Sequence, residues 1–209
     1  SQSNVFVNSL LEDTGRQCIW IGTEGYLFQY FPSTGQMKQT EAFHNNSIKS
    51  LALDGNGYLL AGTDNGLYVY HNDVTPLQHI IHDSRNIQSL TNNIIWNIFA
   101  DQEDNIWLGT DYGISLSRYN SALQFIPISQ ITGTGDGNQF YSLFRDSKGF
   151  YWFGGTNGLI RFTDPAGDKH NAIWYRMGDK TYPLSHNRIR HIYEDKEQQL
   201  WIATDGSIN

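Results

Sequence analysis

One pattern occurs five times along this chain, and it limits what the chain can fold into more than any other feature. Each copy opens on a β-branched or aromatic residue, reaches an aspartate six residues later and then runs into a segment typified by Trp-hydrophobe-Gly-Thr. The copies begin at Val7, Ile48, Ile95, Phe140 and Ile189, so successive starts are 41, 47, 45 and 49 residues apart. A period of this length is typical of a propeller blade or another repeated unit.

Each copy divides into strand-sized segments joined by turns. The first segment, such as Ile95–Ala100, is apolar at both alternating positions, which indicates a strand covered on both faces. A turn rich in Asp, Gly and Asn follows and favours a hairpin into the Trp-containing segment. A third segment such as Gly66–Tyr70 comes next, and a weaker fourth is expected at 78–82, 123–128 and 173–177. Four antiparallel strands per repeat make the blade of a β-propeller.

The sequence therefore predicts an all-β fold, a partial β-propeller over residues 1–209 with four four-stranded blades and the start of a fifth. The blade repeats begin near residues 5, 46, 93, 138 and 187. Because a closed propeller has a whole number of blades, we expect a fragment of a larger propeller of about six to eight blades. An open arc would expose sheet faces and edges, which favours association, so a homo-oligomer is expected.

Composition limits the partners of the chain. The net charge of −7 and the pI near 5.4 argue against a nucleic-acid backbone as a partner of this fragment. Cys18 is the only cysteine, which excludes an internal disulfide and favours a buried structural thiol. No apolar stretch approaches the ~20 residues of a membrane helix, so no membrane span is predicted within these residues.

Positions that repeat in every copy are expected to serve the fold, and positions that vary on one rim are candidates for function. The recurring tryptophans are predicted to pack between blades, and the glycine two residues later to permit close approach of neighbouring sheets. The turn before the first strand and the turn between the second and third strands should open on the same propeller face. The asparagines two residues before each first strand are interpreted as turn formers: Asn46, Asn93, Asn138 and Asn187.

The candidate ligand-binding residues are the variable neighbours of these two turns. They lie just inside or before the first strand or in the second turn: Lys49, Trp96, Tyr141, Arg190, Arg188, Asp64, Asn65, Asp111, Tyr112 and Asn157. Aromatic faces beside polar groups are what sugar recognition requires, because a sugar pairs apolar C–H faces with dense hydroxyls. For any one of these residues, ordinary packing or a solvated turn is the alternative.

No metal site, cofactor or catalytic residue is predicted. The seven histidines are interpreted as surface or hydrogen-bonding residues: His44, His71, His79, His82, His170, His186 and His191. His79 and His82 are spaced so that a strand would place them on opposite faces, which suits chelation poorly. Residues 101–105 form an acidic turn that lacks the glycine and the distal glutamate of a calcium loop.

Two stretches carry a family resemblance. Residues 95–101 with 105–114, and residues 189–195 with 200–206, resemble the two-component regulator propeller repeat. The lead-ins Ser-Leu-Thr-Asn-Asn at 89–93 and Pro-Leu-Ser-His-Asn at 183–187 are similar to the approach of that repeat to each blade. All five copies fit the repeat. The departures from it are Leu60 for the tryptophan, Gly155 for the threonine, and Tyr26 and Ser207 for the later glycine.

The resemblance implies the periplasmic sensor region of a hybrid two-component system of the kind found in gut Bacteroidetes that respond to glycans. It implies a membrane helix, a histidine kinase and a response regulator outside this fragment. The function predicted is a non-enzymatic domain that senses an oligosaccharide or other small ligand and signals to transcription. The alternative is a structural or dimerisation scaffold whose ligand site lies on a neighbouring domain. A propeller enzyme such as a lyase is a third reading, for which a converging set of metal-ligating histidines would be needed.

Overall fold

The computed structural model describes residues 6–39, 46–71, 74–118, 125–127, 138–163 and 172–209. Within these ranges the regular structure is entirely β, with four four-stranded antiparallel sheets and one two-stranded hairpin. Each sheet follows chain order, so each is one blade of an up-and-down propeller. The predicted all-β architecture of four blades and the start of a fifth is confirmed.

The strand bounds follow the repeat closely. Blade one comprises β1 Val7–Asp13, β2 Cys18–Thr23, β3 Leu27–Phe31 and β4 Gln36–Gln39. Blade two comprises β5 Ile48–Leu53, β6 Leu59–Thr63, β7 Gly66–Tyr70 and β8 Pro76–Ile80. Blade three comprises β9 Ile95–Ala100, β10 Ile106–Thr110, β11 Gly113–Ser117 and β12 Phe125–Pro127. Blade four comprises β13 Phe140–Arg145, β14 Tyr151–Gly155, β15 Gly158–Phe162 and β16 Ile173–Tyr175. Blade five comprises β17 Ile189–Glu194 and β18 Leu200–Thr204, and Ile208 adds a bridge to Ala203 where a third strand would begin.

The repeated aspartate and tryptophan are joined by a hydrogen bond that closes the first hairpin of a blade. In blade four, Asp146 Oδ1 accepts the amides of Lys148 and Phe150 at 3.0 and 2.8 Å, while Oδ2 accepts Trp152 Nε1 at 2.8 Å. The same indole bond forms in three other blades: Trp20 to Asp13, Trp107 to Asp101 and Trp201 to Asp195. Blade two has Leu60 instead, and Asp54 retains only the turn amides of Asn56 and Tyr58. The carboxylate therefore satisfies both the turn and an indole, which explains the spacing of six or seven residues between them.

Adjacent blades pack through the tryptophan and the glycine of the repeat. Trp107 lies in one apolar cluster with Phe140 and Phe153 of the next blade and is 2% exposed. A methyl group at position 62 would lie 2.7 Å from Ile95 Cγ2, so only glycine allows the first strand of the next blade to approach this closely. The predicted roles of the tryptophan in core packing and the glycine in close approach are confirmed.

The asparagines before each first strand connect neighbouring blades. In each pair the amide of a glycine at the end of the second turn or the start of the third strand donates to the carbonyl of the asparagine of the next blade: Gly25 to Asn46, Gly66 to Asn93, Gly113 to Asn138 and Gly158 to Asn187, at 3.0, 2.7, 3.1 and 2.8 Å. The interpretation of these asparagines as turn formers therefore gains an inter-blade role. These bonds fix the second turn of one blade against the start of the next.

The ends of the arc are uncovered among the residues that the structure describes. Trp201 is 47% exposed, although its equivalent Trp107 is buried under the next blade. At the other end, Leu10 of β1 is 65% exposed. Across the same described ranges, no helix is long and apolar enough to cross a membrane.

Candidate functional site

The second residue of every inner strand lies at an irregularity in the pairing with its neighbour. Each is the residue that the register between first and second strands skips: Asn8, Lys49, Trp96, Tyr141 and Arg190. An irregularity of this kind interrupts the ladder and re-aims a side chain, and it is frequent beside functional sites. Four of the predicted site residues therefore occupy one equivalent place in successive blades. We name Lys49, Trp96, Tyr141 and Arg190 the bulge row.

The second turn of each blade is held beside this irregularity by a backbone hydrogen bond. The amide of Asp64 donates to the Ser47 carbonyl at 3.3 Å, and the amide of Asp111 donates to the Ile94 carbonyl at 2.9 Å. The amide of Asp205 makes the equivalent bond to the Arg188 carbonyl at 3.1 Å. The two turns therefore lie at the same end of the blade, as predicted, and Asp64, Asp111 and Asp205 form a second set that we name the turn acids.

Along the bulge row the side chains follow the order cation, aromatic ring, aromatic ring, cation. Lys49 Nζ lies 4.6 Å from the centre of the Trp96 ring, and Arg190 Cζ lies 5.5 Å from the centre of the Tyr141 ring. The Trp96 and Tyr141 rings meet edge to face, with centres 5.3 Å apart and planes at 75°. Each contact crosses a blade junction and contributes on the order of 0.5–1.5 kcal/mol. The row is thus one continuous set of contacts across blades two to five.

Two turn acids neutralise the cations of their own blades. Lys49 Nζ lies 4.0 Å from Asp64 Oδ2, and Arg190 contacts both oxygens of Asp205 at 2.5 and 3.3 Å. Arg188 also lies 3.7 Å from Asp205 Oδ2. The side-chain hydrogen bond from Arg190 lowers the pKa of Asp205, and the same bond raises the pKa of Arg190. The cation at each end of the row is therefore paired with a carboxylate.

Asp111, the turn acid of blade three, differs from the other two. Its Oδ1 accepts Trp96 Nε1 at 3.0 Å and Gln139 Nε2 at 2.6 Å, and Gln139 Oε1 in turn accepts the Tyr141 hydroxyl. Within the described part of the chain, Asp111 has no salt bridge and its Oδ2 has no hydrogen-bond partner. This oxygen belongs to a charged acceptor that is hydrogen-bonded to Trp96 and, through Gln139, connected to Tyr141 at the middle of the row.

The comparisons with known proteins agree with this architecture. The family model for the two-component regulator propeller matches residues 89–112, 134–157 and 183–206, which cover the approach and first hairpin of blades three, four and five. These three segments are two-component regulator propeller repeats. No curated protein sequence matches the chain.

Solved structures show the kind of protein in which a segment like this chain occurs. Two structures of the extracellular domain of BT4673 from B. thetaiotaomicron, described once as a one-component and once as a hybrid two-component system, are 94% and 95% identical, each with a TM-score of 0.55. They cover 100% of this chain, which spans 28% of their length. The predicted location outside the cytoplasm agrees with these relatives.

More distant structures share the fold of this regulator propeller. The extracellular domain of the BT3049 hybrid two-component system from B. thetaiotaomicron is 21% identical over 97% of this chain and 26% of its own, with a TM-score of 0.76. Virginiamycin B lyase from Staphylococcus aureus is 12% identical over 96% of this chain and 64% of its own, with a TM-score of 0.69. At these identities the likeness establishes a β-propeller and nothing about chemistry.

For three predicted residues, the described part of the chain gives no side-chain hydrogen bond or ion pair with the row. Asn65 and Asn157 stay within their turns, where the Asn65 carbonyl accepts His79 Nε2 at 2.7 Å and the Asn157 carbonyl accepts Arg176 Nε at 3.1 Å. Tyr112 follows Asp111 and is 45% exposed. These three remain untested as ligand-binding residues.

Two residues of the site were not predicted from the sequence. Asp205 stands in the same repeat column as Asp64 and Asp111, so an alignment of the five copies contains the signal for it. Gln139 stands in the same column as Arg188, immediately before the first strand. Its role became visible only when the structure brought it against the acid of the preceding blade.

The histidines are placed for packing and hydrogen bonding where they are described. His79 stacks on Tyr68 with ring centres 4.0 Å apart, and His82 Nδ1 donates to the Leu90 carbonyl at 2.5 Å. No group of three or more His, Cys, Asp or Glu side chains converges as a metal site within the described ranges. His44 and His170 lie outside the described residues.

Proposed function

We propose that this regulator propeller belongs to the extracytoplasmic sensor region of a hybrid two-component system and binds a neutral oligosaccharide on its bulge row. The BT4673 relatives support this setting, because they are extracellular domains at 94–95% identity. The chain corresponds to 28% of their length. A membrane helix, a histidine kinase and a response regulator that signals to transcription are therefore part of the proposal.

The observation that carries the ligand class is the carboxylate of Asp111, one oxygen of which has no partner among the described residues, next to the contacting rings of Trp96 and Tyr141. A carboxylate oxygen accepts hydrogen bonds from hydroxyl groups, and an aromatic ring packs against the C–H face of a sugar. Both features occur within one stretch of the rim. An apolar ligand would leave the charge of Asp111 desolvated and unpaired, which is costly.

The balance of charge favours a neutral sugar over an anionic one. The row, the turn acids and the neighbouring Arg188 together contain three cations and three carboxylates, so their formal sum is zero. The cations are engaged by Asp64 and Asp205 at distances of 2.5 to 4.0 Å. A polyanion would have to displace these pairs and would meet Asp111 directly.

Contacts across blade junctions give binding a route to signalling. Lys49, Trp96, Tyr141 and Arg190 belong to four successive blades, so a ligand lying along the row touches several blades together. A ligand shifts a conformational equilibrium by its differential affinity for the two states. Binding along this row would bias the relative placement of blades and, through them, of the attached kinase.

Calorimetric titration of the intact ectodomain with a panel of neutral and acidic oligosaccharides tests the proposal. For the neutral oligosaccharide that binds, we expect Asp111→Asn and Trp96→Ala to weaken affinity about tenfold or more, because a hydrogen bond to a charged group contributes about 1.5–3 kcal/mol. Arg190→Ala should weaken it as well. Lys148→Ala is the matched control, since Lys148 is an exposed residue of the first turn on the opposite rim. Unchanged affinity in Asp111→Asn, Trp96→Ala and Arg190→Ala would reject this site.

The second candidate function is a structural or dimerisation scaffold whose ligand site lies on another domain. It is favoured by the internal pairing of the row, in which the Trp96, Gln139, Tyr141 and Arg190 donors already have protein acceptors. Oligosaccharide binding by the ectodomain that all three variants leave intact would support this scaffold.

A further inference from the structure

The most specific polar feature of the bulge row is a side chain that the repeat does not require. Gln139 precedes the first strand of blade four, yet its amide nitrogen lies 2.6 Å from Asp111 Oδ1 in blade three. Its amide oxygen accepts the Tyr141 hydroxyl within its own blade. One amide therefore connects the acid of one blade to the bulge residue of the next.

As a consequence, the two aromatic rings and the carboxylate offer different kinds of contact to a ligand. Trp96 Nε1 and Gln139 Nε2 both donate to Oδ1 of Asp111, which leaves Oδ2 as the acceptor without a protein partner among the described residues. The indole N–H and the Tyr141 hydroxyl hydrogen are both consumed inside this set. The two rings therefore offer aromatic surface, and Asp111 offers the hydrogen-bond acceptor.

Blade four departs from the repeat at Gly155, the position that lies against the backbone of Gln139. The repeat threonine closes the second turn in blade three, where Thr110 Oγ1 donates to the Gly113 carbonyl at 2.8 Å. Blade four has Gly155 at this position, and a methyl group there would lie 2.3 Å from the Gln139 carbonyl oxygen. The hydroxyl of the next residue, Thr156, makes different bonds: it donates to Asn138 Oδ1 at 2.8 Å and accepts the backbone amide of Gln139 at 3.3 Å. The glycine thus permits the close approach that brings Gln139 to the row.

We propose that Gln139 is the positioning residue that determines the specificity of this site, and the proposal rests on the function proposed above. By fixing the Oδ1 side of Asp111 it presents the other oxygen to ligand hydroxyl donors, and it selects neutral hydroxyl-bearing sugars over acidic ones. Gln139 does not need to touch the ligand to do so. Its neutral amide is essential, because a carboxylate in its place would face Asp111 with like charge.

Two readouts on the intact ectodomain test this role. The first is the ¹⁹F NMR resonance of Trp96 in protein labelled with 5-fluorotryptophan, assigned by its loss in Trp96→Phe. We expect Gln139→Leu, which removes both hydrogen bonds at similar volume, to shift this resonance. The second readout is calorimetric affinity for a neutral oligosaccharide that binds the wild type, which we expect to fall about tenfold. Lys148→Ala should change neither.

Gln139→Glu separates positioning from packing. At neutral pH two carboxylates in this geometry cannot both ionise without repulsion, so affinity should fall as in Gln139→Leu. At lower pH a proton shared by the two groups restores the donor to Asp111, so affinity should recover toward wild type. Gln139→Leu has no group to protonate and should show no such recovery. A merely structural role would give the same pH profile for both variants.

The outcomes distinguish this proposal from the one on which it rests. A Trp96 resonance that does not move in Gln139→Leu overturns the positioning role, whatever the binding result. A shifted resonance with undiminished affinity overturns the role in specificity. An ectodomain that binds no oligosaccharide in the panel overturns the proposed function and with it the assignment of specificity, while a shifted resonance would still support the positioning of Asp111.

Discussion

The hydrogen bond between the repeat aspartate and tryptophan should be most costly to remove in blade three. Asp101 Oδ2 accepts Trp107 Nε1 at 2.7 Å and also the Tyr151 hydroxyl of blade four at 3.0 Å. Trp107 and Tyr151 are both buried. Asp101→Ala therefore leaves two buried donors without a partner, at about 1–3 kcal/mol each, or about 2–6 kcal/mol in total.

The chain contains its own control for this prediction. Asp54 occupies the same position in blade two, but Leu60 replaces the tryptophan there, and only two turn amides are lost in Asp54→Ala. Water can satisfy these amides in the exposed turn, so we expect a cost of about 1 kcal/mol. The difference between the two variants isolates the contribution of the buried donors.

Hydrogen-exchange mass spectrometry of the intact ectodomain measures this cost locally, because each strand pair reports its own opening free energy. In Asp101→Ala, exchange in β10 and β14 should accelerate by about thirtyfold to about 25,000-fold. In Asp54→Ala, exchange in β6 should accelerate only about fivefold. Equal acceleration in the two variants would refute the reasoning, since it would show that the indole and phenol donors do not depend on the carboxylate.

Three further predictions concern packing, charge and association. Gly62→Ala should destabilise the ectodomain by about 1–3 kcal/mol and lower its thermal midpoint, because the added methyl group would lie 2.7 Å from Ile95 Cγ2. Gly15→Ala is the control and should have little effect on the thermal midpoint, because the nearest contact of its methyl group would be at 3.5 Å. The hydrogen bond from Arg190 lowers the pKa of Asp205 in the folded protein. The stabilising effect of this bond is therefore present above the pKa of Asp205 in the unfolded chain and is lost as the pH falls through the folded value. Asp205→Asn should remove this part of the acid dependence in a titration of stability, and an unchanged dependence would contradict the prediction. The isolated chain should self-associate through its uncovered ends, and Trp201→Lys should weaken that association; a strictly monomeric species in light scattering would contradict this.

The fold could be predicted from the sequence because its constraints are local and repeated. The spacing from Asp146 to Trp152 reflects one hairpin, and the glycine at 154 reflects one inter-blade contact with Ile189. Each constraint recurs in nearly every copy, so the sequence states it several times. The roles of Leu60 and Gly155 as local departures also follow from comparison of the copies, once the contacts they replace are known.

The candidate site could be predicted only in part, because its contacts join different blades. Trp96, Tyr141 and Arg190 could be found as variable residues of one column, and the structure brings them into a row. The bond between Gln139 and Asp111 joins residues 28 positions apart across a blade junction. No local pattern encodes such a contact, since it depends on how closely blades three and four approach. Asn65 and Asn157 stand one column after the turn acids, and the sequence could not show whether that column takes part in the site.

The most direct test of the account is a crystal structure of the intact ectodomain with a bound neutral oligosaccharide. We expect a sugar hydroxyl within hydrogen-bond distance of Asp111 Oδ2 and a pyranose face against Trp96 or Tyr141. Gln139 should keep its bond to Asp111 in the complex. An oligosaccharide bound only on another domain, with the bulge row unoccupied, would contradict the account and support the scaffold function.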